Sequence, residues 1–212
     1  MDYRKIDMSL YDKFRNLLQE RNDLFKSNLS NDEKIILCVL ADRLKHAIEY
    51  INDCNGLLNK SFNVSYYDEY QFYSYFVACN TIVETITRVN KVLKIKQKES
   101  LKFFIDDIKS FTNNIIDKDY NDKKFFNHIR ALIFHPTDAD RKIPWKLEWE
   151  IQYSWDISVK EWYICLHIWS NVKWYFEWRV SINNLQNYII EEYNKLEWII
   201  NFIEDFKWEK NF

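Results

Sequence analysis

The chain has 212 residues, with 30 Lys and Arg against 32 Asp and Glu, which gives a formal net charge of −2. This length predicts a protein with a sizeable hydrophobic core, and the near-zero charge does not favour strong non-specific binding to nucleic acid. Only one glycine, Gly56, is present. Phosphate-binding loops, dinucleotide fingerprints and nucleophile elbows each need several glycines. P-loop NTPases, Rossmann oxidoreductases and α/β-hydrolases are therefore excluded.

The sequence also bears on the compartment of the protein. Its N-terminus has no apolar segment of the signal-peptide type, and the longest apolar run, Ile35–Ala41, has seven residues. A membrane span needs about 20. The cysteines are far apart and form no C-x-x-C pair, which argues against a zinc site and against a disulfide framework. We expect a cytoplasmic protein without membrane contact, metal or cofactor.

Residues 1–135 are predicted to be helical. Apolar residues recur with a period near 3.6 from Leu10 to Phe25, and a capping box from Ser30 to Glu33 predicts that a second helix begins near residue 31. Helices separated by short polar breaks are typical of an antiparallel bundle. After a loop at residues 52–63, three more helices are predicted: about 66–95, about 98–116, and one from Asn121 or Asp122 to about Phe134.

After Pro144 apolar and polar residues alternate, which is the period of a half-buried β-strand. Three runs are involved, 145–157, 162–169 and 172–182, and all nine tryptophans lie at or after Trp145. We expect most of the rings to pack on the helical core. From about Asn183 the helical period returns. The predicted fold is mainly α, an antiparallel helical bundle with a small antiparallel β-sheet appended before a C-terminal helix.

No linker rich in Gly, Ser or Pro separates these two parts of the chain. Residues 1–144 are predicted to form the bundle. Residues 145–212 are predicted to form the Trp-rich strands and the closing helix, packed on the bundle as one structural unit.

Polar side chains are set into an otherwise apolar helix in one segment, Phe125 to Pro136. Arg130 and His135 in this segment are five positions apart, which on an undisturbed helix separates them by about 140°. Proline disfavours the α conformation of the residue before it, so the helix should end near Phe134. His135 is then able to turn toward Arg130, and both side chains are aimed at one point.

The spacing by itself is weak, because an Arg-x4-His pattern is expected by chance about 0.15 times in a chain of this composition. The alternative interpretation is ordinary helix structure. Arg130 would then be a solvated surface residue, and His135 would stand at the helix C-terminus because the helix dipole favours it there.

The Arg-x4-His pattern at the end of a bundle helix resembles the R-x4-6-H motif of the HEPN superfamily. Many members of that superfamily are metal-independent ribonucleases of toxin, abortive-infection and antiphage systems. The detailed similarity covers residues 127–136. Two positions differ: Ala131 stands where many members have a polar residue, and Thr137 where the tyrosine-modified toxins have tyrosine.

The resemblance implies a metal-independent endoribonuclease that acts in phage defence or as a toxin. RNA carries its own nucleophile, the 2′-OH, so His135 would act as general base or general acid and Arg130 would hold the scissile phosphate. Asn127, one turn before Arg130, would orient the phosphate or the histidine. The resemblance also implies a homodimer with a composite active site, and an antitoxin or activator protein as partner.

Two functions of other classes stay open at this point. One is a non-catalytic helical module that binds RNA, a nucleotide or a protein partner with the same residues. The other is a dimeric interaction protein whose sheet forms the interface.

Overall fold

A computed structural model of the chain describes residues 4–21, 29–54, 66–95, 103, 121–134, 155–160, 163–168 and 176–205. These ranges are mainly helical, and a small antiparallel sheet lies directly before the C-terminal helix. The predicted fold class is thereby confirmed. The elements in chain order are α1 (Ser9–Glu20), α2 (Asn31–Cys54), α3 (Tyr66–Val92), α4 (Asp122–Phe134), β1 (Trp155–Lys160), β2 (Tyr163–Ile168), β3 (Phe176–Ser181) and α5 (Ile182–Asp205).

Helix starts agree closely with the sequence patterns. α2 begins at Asn31 behind the predicted capping box, in which the Ser30 backbone N–H donates to Glu33 Oε2 at 2.8 Å and the Glu33 N–H donates to Ser30 Oγ at 3.2 Å. This reciprocal pair satisfies two backbone donors that the helix itself leaves unpaired. α2 continues to Cys54 and so includes the first three residues of the predicted loop. The helix predicted over 98–116 lies outside the described residues.

The sheet has the order β1-β2-β3, with both pairs antiparallel. Trp155 stands opposite Ile168 in the first pair, and Tyr163 stands opposite Ser181 in the second. β1 begins at Trp155, so the earlier part of the predicted 145–157 run lies outside the described residues. The side chains of the strand tryptophans lie outside them too. Within β2, Ile164 and Cys165 are buried.

The chain divides into two compact units. The first comprises Met1–Asn59, Tyr75–Glu99 and Ile189–Phe212, and the second comprises Lys60–Ser74 and Ser100–Tyr188. The first unit therefore holds α1, α2 and the larger parts of α3 and α5, and the second holds α4 and the sheet. The domain boundary predicted after residue 144 lies outside the described residues.

The core of the first unit is built from apolar helix faces. α5 contributes one such face, on which Leu196, Ile199 and Ile200, spaced i, i+3, i+4, are each 1% exposed or less. On the surface, ion pairs join Lys13 to Glu204 at 3.1 Å and Arg15 to Asp42 at 3.5 Å. Exposed pairs of this kind contribute little to stability, so the apolar core holds the unit together.

Candidate functional site

The helix that carries the Arg-x4-His motif, α4, is capped at its first turn. Asn121 Oδ1 accepts a hydrogen bond from the Lys124 N–H at 2.9 Å, which is the contact of an N-cap residue. The predicted helix start at Asn121 or Asp122 is confirmed. Asp122 is completely buried, and its Oδ2 accepts a hydrogen bond from the Phe103 N–H at 2.6 Å. This buried carboxylate ties the start of α4 to residue 103, and sequence reasoning did not find it.

One face of α4 is fully buried. Phe125, Phe126, Ile129 and Ile133 are each 2% exposed or less. The Phe126 ring packs on the ring of Tyr188, with the centroids 5.1 Å apart and the planes tilted by 36°. Burying four large side chains stabilises this orientation by several kcal/mol. The rotation of α4 about its own axis is therefore set by this apolar face.

The opposite face of α4 carries the candidate polar residues. Asn127 and Arg130 are one turn apart, and Phe134 follows one turn later, so all three lie on one side of the helix. Asn127 is exposed, Arg130 is half-buried and Phe134 is 37% exposed. Arg130 and the candidate supporting residue Asn127 are thus brought to the same accessible side, as the i, i+3 spacing predicts.

His135, the second predicted catalytic residue, lies outside the described residues, and so do Pro136 and Thr137. α4 is described through Phe134, the residue predicted as its end. The backbone of His128 lies within α4, and its side chain is outside the described residues.

A half-buried arginine beside an exposed amide is suited to binding an oxyanion. The cationic guanidinium group offers several N–H donors in a planar fork, which matches two oxygens of a phosphate. Asn127 adds an amide that donates or accepts. The two side chains are chemically suited to binding and orienting a phosphate, and neither of them is a general acid or base near neutral pH.

Metal ligation and thiol chemistry find little support in the described ranges. No group of three or more His, Cys, Asp or Glu residues there is placed to hold a metal ion. All four cysteines are free; Cys38 is exposed, whereas Cys54, Cys79 and Cys165 are buried. Burial raises the pKa of the Cys79 thiol far above its ordinary value. Cys79 therefore stays protonated and is a poor nucleophile.

Among the described helices, none combines the length and the apolar character that a membrane crossing requires.

The first unit contains a buried ion pair that sequence reasoning missed. Lys195 Nζ lies 2.5 Å from Glu192 Oε1, and the two side chains are 3% and 0% exposed. The other carboxylate oxygen, Oε2, has no hydrogen-bond partner in the described structure. A sequence signal was present: Glu192 occupies the apolar stripe of α5, seven positions after Leu185 and four before Leu196.

Comparisons with known proteins identify no relative. No family model, no curated protein and no solved structure matches the chain.

Proposed function

We propose that the chain is a metal-independent endoribonuclease of the kind found in the HEPN superfamily, with Arg130 and His135 as its catalytic residues. The observation that carries the proposal is the position of Arg130. It stands near the end of α4, half-buried, on the same side as Asn127, while four buried side chains hold the opposite face in place. His135 and Pro136 follow directly after the last described turn.

The chemistry requires only groups that the chain and RNA supply. The 2′-oxygen of the RNA attacks the adjacent phosphorus, the P–O5′ bond breaks, and the products are a 2′,3′-cyclic phosphate and a 5′-hydroxyl. His135 removes the 2′-OH proton or protonates the leaving 5′-oxygen. Arg130 binds the phosphate and stabilises the charge that develops in the transition state.

One histidine does not readily serve as both base and acid in a single step. A homodimer that brings two Arg/His pairs into one composite site supplies the second histidine. Asn127 orients the phosphate or the imidazole from one turn before Arg130. In the cell, such an activity acts as a toxin or in phage defence, with cytoplasmic RNA as substrate and an antitoxin or activator protein as the controlling partner.

The first experiment is an RNA cleavage assay in EDTA with a mixed pool of tRNA and mRNA. Purified wild type is compared with Arg130→Ala, His135→Ala and the matched control His128→Ala, which removes the neighbouring histidine of the same helix. We expect cyclic-phosphate ends from wild type and from the control. The two site variants should be slower by about 10²–10³-fold. Circular dichroism checks that every variant is folded.

Several outcomes contradict the proposal. Cleavage that is unaffected by Arg130→Ala or His135→Ala removes these residues from the reaction. Cleavage that stops in EDTA replaces the mechanism with a metal-dependent one. RNA binding without cleavage, abolished by Arg130→Ala, supports the non-catalytic binding module instead. In vivo, expression of wild type should slow growth and expression of His135→Ala should not.

A further inference from the structure

The side of α2 that faces away from the core carries an apolar patch. Ile35 is 62% exposed, Ile36 43% and Val39 45%, although each of these side chains is large and hydrophobic. Ile35 and Ile36 are neighbours in the sequence, and Val39 lies one turn further along α2. The other side of this helix, which carries Leu37, Leu40 and Leu44, is buried. Clustered apolar side chains of this kind, in contrast to single ones, mark interaction surfaces.

Two opposite charges stand at the ends of this patch. Asp32 lies one turn before Ile36, and Arg43 lies one turn after Val39; both side chains are exposed. Neither forms an ion pair or a side-chain hydrogen bond within the part of the chain that the structure describes. The acidic end and the basic end of the patch are therefore both available to a partner.

The two charged residues form a stripe along α2 with Ile36 and Val39, and the spacing of this stripe is the same when it is read from either end. Asp32, Ile36, Val39 and Arg43 are separated by four, three and four positions. Such spacing keeps them within an arc of about 60° on an α-helix, which is the seam used in coiled-coil packing. Reversing the stripe leaves its spacing unchanged and exchanges its acidic and basic ends. A stripe with this property is complementary to a second copy of itself in antiparallel orientation.

We propose that α2 of one copy packs antiparallel against α2 of a second copy through this stripe. Ile36 then lies opposite the partner's Val39, and Asp32 lies opposite the partner's Arg43, each contact occurring twice about a two-fold axis. Ile35 widens the apolar contact on one flank. The antiparallel orientation also aligns the two helix dipoles favourably. No catalytic residue enters this argument: the α2 contact and the composite ribonuclease site each require a second copy, but only the α2 contact depends on Asp32 and Arg43.

The size of the patch sets the expected strength. A few apolar side chains and two ion pairs bury less than the area of a standard stable interface, about 1,600 Å² in total. The association should be reversible and of micromolar strength, with Ile36 and Val39 supplying most of the free energy. The two charge pairs supply the register and the choice of partner, because like charges placed opposite each other are repelled.

The test is sedimentation velocity over a protein concentration range of about 1–200 µM, which brackets the expected affinity. Wild type should shift from monomer toward dimer as concentration rises. Asp32→Arg and Arg43→Asp each place like charges opposite each other and should weaken dimerisation about tenfold or more. The double variant Asp32→Arg/Arg43→Asp re-forms both pairs with reversed polarity and should dimerise nearly as well as wild type.

Two controls make the assay specific. Glu20→Arg reverses an exposed charge on α1 and should leave dimerisation unchanged. Val39→Lys places two ammonium groups in the apolar centre and should abolish dimerisation, with thermal unfolding used to verify that the variant is folded. A wild type that stays monomeric throughout overturns the proposal. A dimer that tolerates both single reversals, or that the double variant fails to restore, shows that the copies meet on another face.

Discussion

The hydroxyl group of Tyr193 accepts a hydrogen bond from the backbone N–H of Tyr11 at 2.9 Å and donates one to the backbone carbonyl of Asp7 at 2.6 Å. Met8, at the N-cap position of α1, forms no side-chain cap. A residue 182 positions away in the sequence therefore satisfies a backbone donor in the first turn of α1. Burial also raises the pKa of Tyr193, which keeps the hydroxyl protonated and able to donate.

Tyr193→Phe should lower the free energy of unfolding by about 1–2 kcal/mol, because it leaves a buried N–H and a carbonyl without their partner. Urea unfolding followed by circular dichroism measures the change. Tyr11→Phe is the matched control, since the Tyr11 hydroxyl forms no hydrogen bond in the described ranges, and it should have a much smaller effect. Equal losses from the two variants would contradict the capping role of Tyr193.

The capping box of α2 should make stability depend on pH. Hydrogen bonds from Ser30, with its backbone N–H foremost, lower the pKa of Glu33 below its ordinary value of 4.5. A carboxyl whose pKa is depressed by folding stabilises the protein above its unfolded pKa, and this contribution disappears as the pH falls through the folded pKa.

Glu33→Gln isolates that contribution, because the amide oxygen still accepts the Ser30 hydrogen bond but does not titrate. Between about pH 6 and pH 3, the melting temperature of wild type should fall further than that of Glu33→Gln, since every other acid is common to both. If the melting temperatures of wild type and Glu33→Gln fall by equal amounts over this range, the protonation of Glu33 is not coupled to folding.

The buried pair of Glu192 and Lys195 should be sensitive to single substitutions. Glu192→Leu or Lys195→Met leaves one charge buried without a partner, and each should lower the free energy of unfolding by about 3–5 kcal/mol. The double variant removes both charges and should be more stable than either single variant. A double-mutant cycle measured by urea unfolding gives the coupling. If each single variant lowers the free energy of unfolding by less than about 1 kcal/mol, the pair is hydrated.

The C-terminal end of α3 needs a residue in the left-handed backbone conformation, and the residue at this position is a lysine rather than a glycine. Lys94 has φ 57°, and the Ile95 N–H donates to the Asn90 carbonyl at 2.8 Å in the wrapped ending of a Schellman motif. A side chain in this conformation is strained by about 1–2 kcal/mol, whereas glycine is not.

Lys94→Gly should therefore raise the free energy of unfolding by about 0.5–1 kcal/mol, after allowance for the greater freedom of glycine in the unfolded chain. The matched control is Lys91→Gly, one turn earlier within α3, which should lower it by about 1 kcal/mol. If Lys94→Gly is destabilising by the same amount as Lys91→Gly, residue 94 does not need the left-handed conformation.

Local patterns were enough to predict much of the fold. The capping box at Ser30, the start of α4 at Asn121 and the period change before α5 each depend on neighbours within a few positions. Helix caps and amphipathic periods act over this short range. The i, i+3 relation of Asn127 and Arg130 is equally local, so their common side of α4 was predictable. Whether His135 turns toward Arg130 stays a prediction.

The sequence by itself determined the helical and strand segments and their apolar faces, because hydrogen bonding within a turn and the 3.6 and 2.0 periods are local properties. Only the tertiary structure decided that Tyr193 caps α1, that Asp122 is buried against residue 103, and that Glu192 and Lys195 share a dry position in α5. The partners of Tyr193 and Asp122 lie far from them in the sequence, so packing chooses those partners and no local pattern names them. Glu192 and Lys195 are three positions apart on α5, but packing decides that both are buried.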